Sequence, residues 1–171
     1  MRIPAIVAFS SVLLAAGLSQ AAPGGGGGGG NTGSATANVT ATVVAPITLT
    51  KTSDLSFGDF TSDTAPCTVS IGATSTQTIT GNCAPLGSGS VSAAAFTVGG
   101  SGNRSFTTNV SATSPNLSDG AGHTMGLTLQ SNAPTHLTNG AATVNVYGSL
   151  AVAGNQVAGS YTDTVTVTVS Y

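Results

Sequence analysis

Side chains able to carry acid–base or metal chemistry are few in this chain. The histidines are His123 and His136, both in turn-rich stretches, and the acidic residues are five aspartates with no glutamate. One histidine beside Asp119 makes a poor metal site, and a general base near neutral pH has no other obvious source. No serine lies in a G-x-S-x-G motif, and Lys51 is the only lysine, so no Ser-x-x-Lys motif occurs. The sequence therefore predicts no enzyme, no catalytic residue, no metal site and no cofactor.

Three aspartates cluster around Gly58 and are candidate ligands for calcium. Asp54, Asp59 and Asp63 supply oxygen atoms, which calcium prefers, but they do not form a D-x-D-x-D-G loop. Aspartates in turns usually accept hydrogen bonds from their own backbone. We therefore interpret these residues as turn formers, and Asp163 in the last predicted strand as a local hydrogen-bond partner.

The charge of the chain excludes one large class of partner. Only 5% of the residues are charged, and three basic residues face five acidic ones, for a net charge of -2. A nucleic-acid surface needs a cluster of basic side chains to neutralise phosphates. Arg2, Lys51 and Arg104 are far apart in the sequence and predict no such cluster.

The first residues predict export. Arg2 precedes an apolar stretch, Ile6 to Leu18, that is too short to span a bilayer, and Ser19-Gln20-Ala21 has small residues where a signal peptidase cleaves. We predict a signal peptide over residues 1–21. A glycine-rich tether follows over residues 22–33, because an unbroken glycine run does not recover the entropy cost of ordering.

The chain contains two cysteines, Cys67 and Cys83. An even number of cysteines in an exported chain predicts one disulfide. A redox-active pair is disfavoured because no lysine, arginine or histidine is near either thiol in sequence.

Alternation of apolar and polar residues dominates the rest of the chain. Residues 34–45 and the positions up to Leu49 put apolar side chains on every odd position, and the last strand repeats this from Tyr161 to Tyr171. Turn signals such as Asp119-Gly120 and Asn139-Gly140 separate many short strands. This pattern predicts an all-β, immunoglobulin-like β-sandwich over residues 46–171.

Several of these residues carry a resemblance to a known family. The ending Gly159-Ser160-Tyr161-Thr162-Asp163-Thr164-Val165-Thr166-Val167-Thr168-Val169-Ser170-Tyr171 resembles the close of spore coat protein U-type secreted pilins, the subunits of archaic chaperone–usher pili. Leu55-Ser56-Phe57-Gly58 is similar to their L-x-F-G element, and Val146 to Leu150 looks like their penultimate strand. The middle, from Ala95 to Gly100, is closer to a related family of uncharacterised exported bacterial domains. Cys67 follows Phe57-Gly58 instead of lying early in the first strand, so the disulfide topology of the pilins is not carried over.

The resemblance implies assembly by donor-strand complementation, in which the N-terminal extension of one subunit completes the sheet of another. It implies other copies or related subunits as partners, a periplasmic chaperone, an outer-membrane usher, and passage through the periplasm to the cell surface or medium. The donor positions would be Ala37, Val39, Ala41 and Val43, and the acceptor groove would be lined by Val165, Val167, Val169 and Tyr171. Two alternatives stay open: residues 34–45 as the first strand of their own sandwich, and a self-contained secreted binding or adhesion module.

Overall fold

The computed structural model describes residues 32–171 of the chain. The predicted signal peptide, residues 1–21, and most of the predicted tether lie outside the described residues. The chain divides into two units, Met1–Thr40 and Ala41–Tyr171. In the first unit, residues 32–40 are exposed and form no strand. All regular structure described below belongs to the second unit.

Among the described residues, the second unit contains strands and no helix. Asparagine, glycine, proline and serine at the strand ends favour turns over helical continuation, and valine and threonine inside the strands favour the pleated conformation. The strands are β1 (Thr48–Ser53), β2 (Ser56–Phe57), β3 (Phe60–Thr61), β4 (Cys67–Ile71), β5 (Gln77–Gly81), β6 (Ala84–Pro85), β7 (Val91–Ser92), β8 (Ala94–Gly99), β9 (Thr107–Ala112), β10 (Asn116–Ser118), β11 (Thr124–Ser131), β12 (Ala141–Val152) and β13 (Val165–Ser170).

The larger sheet is organised by β12, which has 12 residues. One edge of β12 pairs with β11. The other edge pairs first with β8 and then with β4, so a single strand joins two groups of shorter ones. The full order is β1-β8-β12-β11-β10, with β4 and β5 attached to the second half of β12, and all pairs are antiparallel.

The smaller sheet consists of β13 and β9. Two further short ladders pair β2 with β7 and β3 with β6. The core consists of two apolar clusters, and the valines of β9 and β13 pack against the second. One contains Val69, Ile71 and Leu150, and the other contains Val98, Val144 and Val146. This arrangement confirms the predicted all-β sandwich of immunoglobulin-like type.

Glycine is required where β12 changes partner. A Cβ atom on Gly148 would lie 2.1 Å from the backbone oxygen of Thr128, far inside van der Waals contact. The backbone of β11 therefore approaches β12 closely at this point, where a side chain in place of glycine would collide with it.

The turn that leads into β12 follows the sequence signal. Asn139 and Gly140 both adopt positive φ, 53° and 84°, which is the requirement of a tight hairpin turn of the primed type. Thr138 bridges Ala141 across it. The predicted turn at Asn139-Gly140 is confirmed.

Two predicted strands are shorter in the structure than their alternation implied. The pattern from Ala35 to Leu49 becomes a strand only from Thr48, because a strand forms where a ladder partner exists and β8 begins pairing there. The pattern from Tyr161 becomes a strand only from Val165. The Tyr161 hydroxyl instead donates to the Val157 carbonyl oxygen at 2.7 Å, which holds residues before β13 in a loop.

Across residues 32–171, the structure contains no helix of the length and apolar character needed to cross a bilayer.

The core makes a direct prediction about stability. Leu150 is 3% exposed and lies in the first cluster, so Leu150→Ala removes buried contacts and leaves a cavity. We expect a loss of about 2–5 kcal/mol in the free energy of unfolding, measured by urea denaturation. Leu86→Ala is the matched control, since Leu86 is 59% exposed, and its change is expected to stay within about 0.5 kcal/mol. Equal losses in the two variants would contradict this placement of the core.

Candidate donor-strand interface

The four predicted donor positions lie in an exposed segment. Ala37, Val39, Ala41 and Val43 are exposed and form no strand, and Val39 and Val43 are 95% and 97% exposed. Isolated apolar side chains on a protein surface are common, but alternate valines and alanines along one face of a chain are typical of a half-buried strand. This segment, residues 34–45, is called the ribbon below.

The predicted acceptor residues lie on β13 and directly after it. Within residues 32–171, β13 pairs with β9 along one edge and with no strand along the other. Val165, Val167 and Val169 are only half-buried, although they pack against the second apolar cluster. The last strand therefore has an open edge above a partly covered core.

The backbone of β13 presents hydrogen-bonding groups at this open edge. Thr113 N–H donates to the Thr164 carbonyl oxygen at 2.9 Å, so the even-numbered residues of β13 direct their backbone groups toward β9. In an antiparallel ladder the alternate residues direct theirs the opposite way. Val165, Val167 and Val169 thus point their N–H and C=O groups toward the open edge, where an added strand would bind.

The opposite wall of this opening is β1 and the residue before it. Ile47 and Leu49 are half-buried and pack on the same cluster as the β13 valines. β1 lies close to β13, and within the described part of the chain β1 pairs only with β8. The unpaired edges of β1 and β13, with the half-buried side chains beside them, are called the groove below.

A cavity of about 720 Å³ adjoins the Val165 end of the groove. It lies between residues 55–62 and residues 156–165, and apolar side chains of the first cluster form its floor, among them Phe57, Met125 and Leu150. Leu55 contacts both apolar clusters and lines the cavity, as does the half-buried Val165 at its edge. Val165 therefore belongs both to the groove and to the edge of the cavity.

The other end of the groove is closed at the C-terminal residue. The Tyr171 hydroxyl accepts a hydrogen bond of 2.8 Å from Ser101 N–H, and the Arg104 guanidinium lies 6.0 Å from the Tyr171 ring centroid. Ser101 Oγ in turn accepts 2.7 Å from Ala45 N–H. Ser101 therefore links Tyr171, at the end of β13, to Ala45, the last residue of the ribbon. The loop of residues 99–104 is called the Ser101 loop below.

The predicted disulfide is present between Cys67 and Cys83, with 5.8 Å between the Cα atoms. Cys67 begins β4, and Cys83 lies two residues after β5. Gly81 faces Cys67 with φ +96°, and a Cβ there would lie 2.9 Å from the Cys67 Cα. The bond therefore ties the end of a two-stranded extension where the backbones are already close.

The two histidines make separate contacts, each with one neighbouring side chain. Within residues 32–171, no group of three potential metal ligands is found. His123 Nδ1 lies 2.5 Å from Asp119 Oδ2, and His136 contacts the neighbouring Thr135 hydroxyl. Asp119 Oδ1 accepts from the backbone N–H groups of Ala121 and His123. The hydrogen bond from His123, with those backbone donors, holds the pKa of Asp119 below its ordinary value against the opposing effect of desolvation.

Sequence reasoning missed the cavity and the role of the Ser101 loop. The cavity is built from loops far apart in sequence, and no periodicity links them. Ser101 lies in the stretch Gly99-Gly100-Ser101-Gly102-Asn103, whose only sequence signal is that of a turn. Gly100 is also needed here, because a Cβ atom on it would collide with the Tyr171 hydroxyl. The sequence alone does not show that Tyr171 lies beside it.

The profile of one domain family, described as "Domain of unknown function (DUF4402)", matches residues 47–171. The chain belongs to the DUF4402 family. The matched range begins at Ile47, so the DUF4402 domain comprises β1 to β13 and leaves out the ribbon. No curated protein and no solved structure matches the chain.

The disulfide makes a prediction for this DUF4402 domain. Replacing both cysteines, Cys67→Ser with Cys83→Ser, opens a loop of 16 residues in the unfolded chain. We expect the free energy of unfolding to fall by about 3 kcal/mol, measured by urea denaturation. Wild-type protein with a reducing agent is the control and is expected to match the double variant. Unchanged stability in both would contradict a structural disulfide.

The lowered pKa of Asp119 makes a prediction about pH. Since the folded pKa lies below the unfolded value of 3.8, the charged carboxylate stabilises the fold above that value, and this contribution is lost as pH falls through the folded pKa. We expect Asp119→Asn to be less stable than wild type at pH 7, with the difference shrinking toward pH 2. Thermal melting across this range measures it. Asp54→Asn, at an exposed aspartate, controls for loss of one charge. A difference that grows on acidification would contradict the assignment.

Proposed function

We propose that this protein is an exported structural subunit of a surface fibre or pilus that assembles by donor-strand complementation. The ribbon of one copy lies in the groove of the next, and the ribbon of that copy lies in the groove of a third. The assignment includes no catalytic step and no cofactor. The observation that carries it is the open edge of β13 above half-buried valines, in a chain that also has an exposed alternating ribbon.

Strand and ribbon match in length and period. The acceptor positions Val165, Val167, Val169 and Tyr171 span seven residues, which is six residue-to-residue steps, and the donor positions Ala37 to Val43 span the same number. At 3.3 Å per residue each set covers about 20 Å. Each of the four acceptor side chains can therefore pack beside one of the four donor side chains.

The added strand has two sources of free energy. Its backbone forms the missing ladder with the outward N–H and C=O groups of β13. Its apolar side chains cover the cluster, and full burial of Val39 or Val43 contributes about 1.5–3 kcal/mol each. A polar or charged residue at these positions opposes insertion, because it would enter the core without a partner.

Local backbone chemistry disfavours filling of the groove by the ribbon of the same copy. Ala45 is bonded to Ser101 and β1 begins at Thr48, so the chain would have to reverse over Ala45-Pro46. Tight hairpin turns require positive φ at the first central residue, whereas proline fixes φ near -65° and restricts the residue before it. Neither Ala45 nor Pro46 adopts positive φ. A ribbon from another copy needs no such reversal.

Export and assembly factors follow from the resemblance to secreted pilins. The disulfide is compatible with an oxidising compartment outside the cytoplasm. A periplasmic chaperone would cover the groove before assembly, since an open edge over apolar side chains is prone to aggregation. An outer-membrane usher would then exchange the chaperone for the next subunit. The charged fraction of 5% suits close stacking of identical subunits.

Two single substitutions in the ribbon test the proposal. Val39→Asp places a carboxylate at an inward donor position, whereas Thr40→Asp places the same charge at the neighbouring outward position. Both residues are exposed and outside the strands, so neither change disturbs the folded domain. We expect Val39→Asp to lower the extent or rate of polymerisation of the purified chain, residues 22–171, by about 100-fold, because burying an unpaired charge costs several kcal/mol. Thr40→Asp is expected to polymerise like wild type.

Light scattering and electron microscopy measure the outcome. Equal polymerisation of both variants would contradict donation by the ribbon. A wild-type chain that stays monomeric and melts reversibly without any partner would also contradict it, and would favour a self-contained secreted module.

A further inference from the structure

One arginine, Arg104, lies at the Ser101 loop. Of the basic residues in residues 32–171, Lys51 is paired with Asp54 at 2.6 Å. Arg104 is exposed, lies over Tyr171, and forms no salt bridge within the described residues. This end of the domain, comprising the Ser101 loop and Tyr171, is called the Arg104 end.

Acidic residues lie at the opposite end of β13. Asp59 and Asp163 line the cavity beside Val165, and Asp63 directly follows Ser62 on its rim. Asp119 is near the same rim, since a Cβ on Gly159 would lie 3.8 Å from the Asp119 Cβ. Tyr171 is six residue-to-residue steps from Val165, so about 20 Å lies between this end and the Arg104 end. It is called the aspartate end below.

The length of chain between ribbon and domain forces two copies to touch. Val43 is the last inward donor position, and Ala45 is already fixed to Ser101 of its own domain. Only Val44 lies between them, which leaves less than 10 Å of chain from groove to domain. A donor seated in the groove therefore brings its own Arg104 end against the acceptor.

Charge decides which end of the acceptor receives it. If the ribbon ran parallel to β13, Val43 would lie beside Tyr171, and two Arg104 ends would meet with like charges together. If it runs antiparallel, Val43 lies beside Val165 and the Arg104 end meets the aspartate end. Like charges brought together are unfavourable, and opposite charges raise the rate of association.

We propose that a second, polar interface accompanies strand donation: the Arg104 end of each copy binds the aspartate end of the copy whose groove it fills. This inference rests on the proposed function and adds a surface outside the groove. The partner is a second copy of this chain, and the contact repeats head to tail along the fibre. Because it acts between preformed surfaces, it affects the rate of assembly more than the stability of the single domain.

The test compares two charge reversals in the full exported chain, residues 22–171. Arg104→Glu and Lys51→Glu change the net charge equally, but only the first alters the Arg104 end. We expect Arg104→Glu to slow polymerisation about tenfold at low salt and Lys51→Glu less than twofold, followed by light scattering. Adding 1 M NaCl is expected to slow wild type to the rate of Arg104→Glu, because salt screens exposed charges. Adding Asp59→Lys to the Arg104→Glu variant is expected to recover part of the lost polymerisation rate. Adding Asp54→Lys to the same variant is expected to recover none of it.

Equal slowing by the two reversals, or salt-independent assembly of wild type, would overturn the polar interface while leaving strand donation intact. Thermal melting of each monomer shows whether a substitution slows assembly by destabilising the fold. The salt dependence of wild-type assembly tests the polar interface without any substitution. If wild type itself forms no polymer, the proposed function and this inference both fail.

Discussion

The arrangement of this domain depends on one unsatisfied ladder. β13 is hydrogen-bonded along one edge only, and the side chains of its inward valines lie over a cluster that neighbouring strands cover in part. The centre of the larger sheet is better satisfied, because the second half of β12 is paired with β11 along one edge and with β4 along the other. The unpaired edge of β13 and its half-buried valines could therefore accept a further strand, and the exposed apolar ribbon has the alternation of such a strand.

Polar contacts fix the chain at both ends of β13. At one end Tyr171 is fixed by Ser101 and packs beside Arg104, which keeps β13 extended to its last residue. At the other end Tyr161 is bonded within its own loop and Thr162 bridges Ser118, so the chain before β13 is directed away from β1. These polar contacts place β13 without covering its open edge.

The sandwich could be predicted from local patterns, and the site only in part. Alternation marked β12 and β13, and Asn139-Gly140 marked the turn before β12, because side-chain period and positive φ are properties of a few adjacent residues. Tyr161 and Ala35 continued the same alternation and yet lie outside strands. Alternation shows which face of a strand would be buried but not whether a neighbouring strand exists to pair with it.

The sequence alone determined the all-β class, the pairing of two cysteines, and the two sets of alternating apolar residues near the start and at the end of the chain. Only the tertiary structure decided that the last strand keeps an open edge, that a cavity lies beside Val165, and that Ala45 and Tyr171 both bond to Ser101. Periodicity is encoded within a few neighbouring residues, whereas edges, cavities and charged ends arise when segments far apart in the chain pack together.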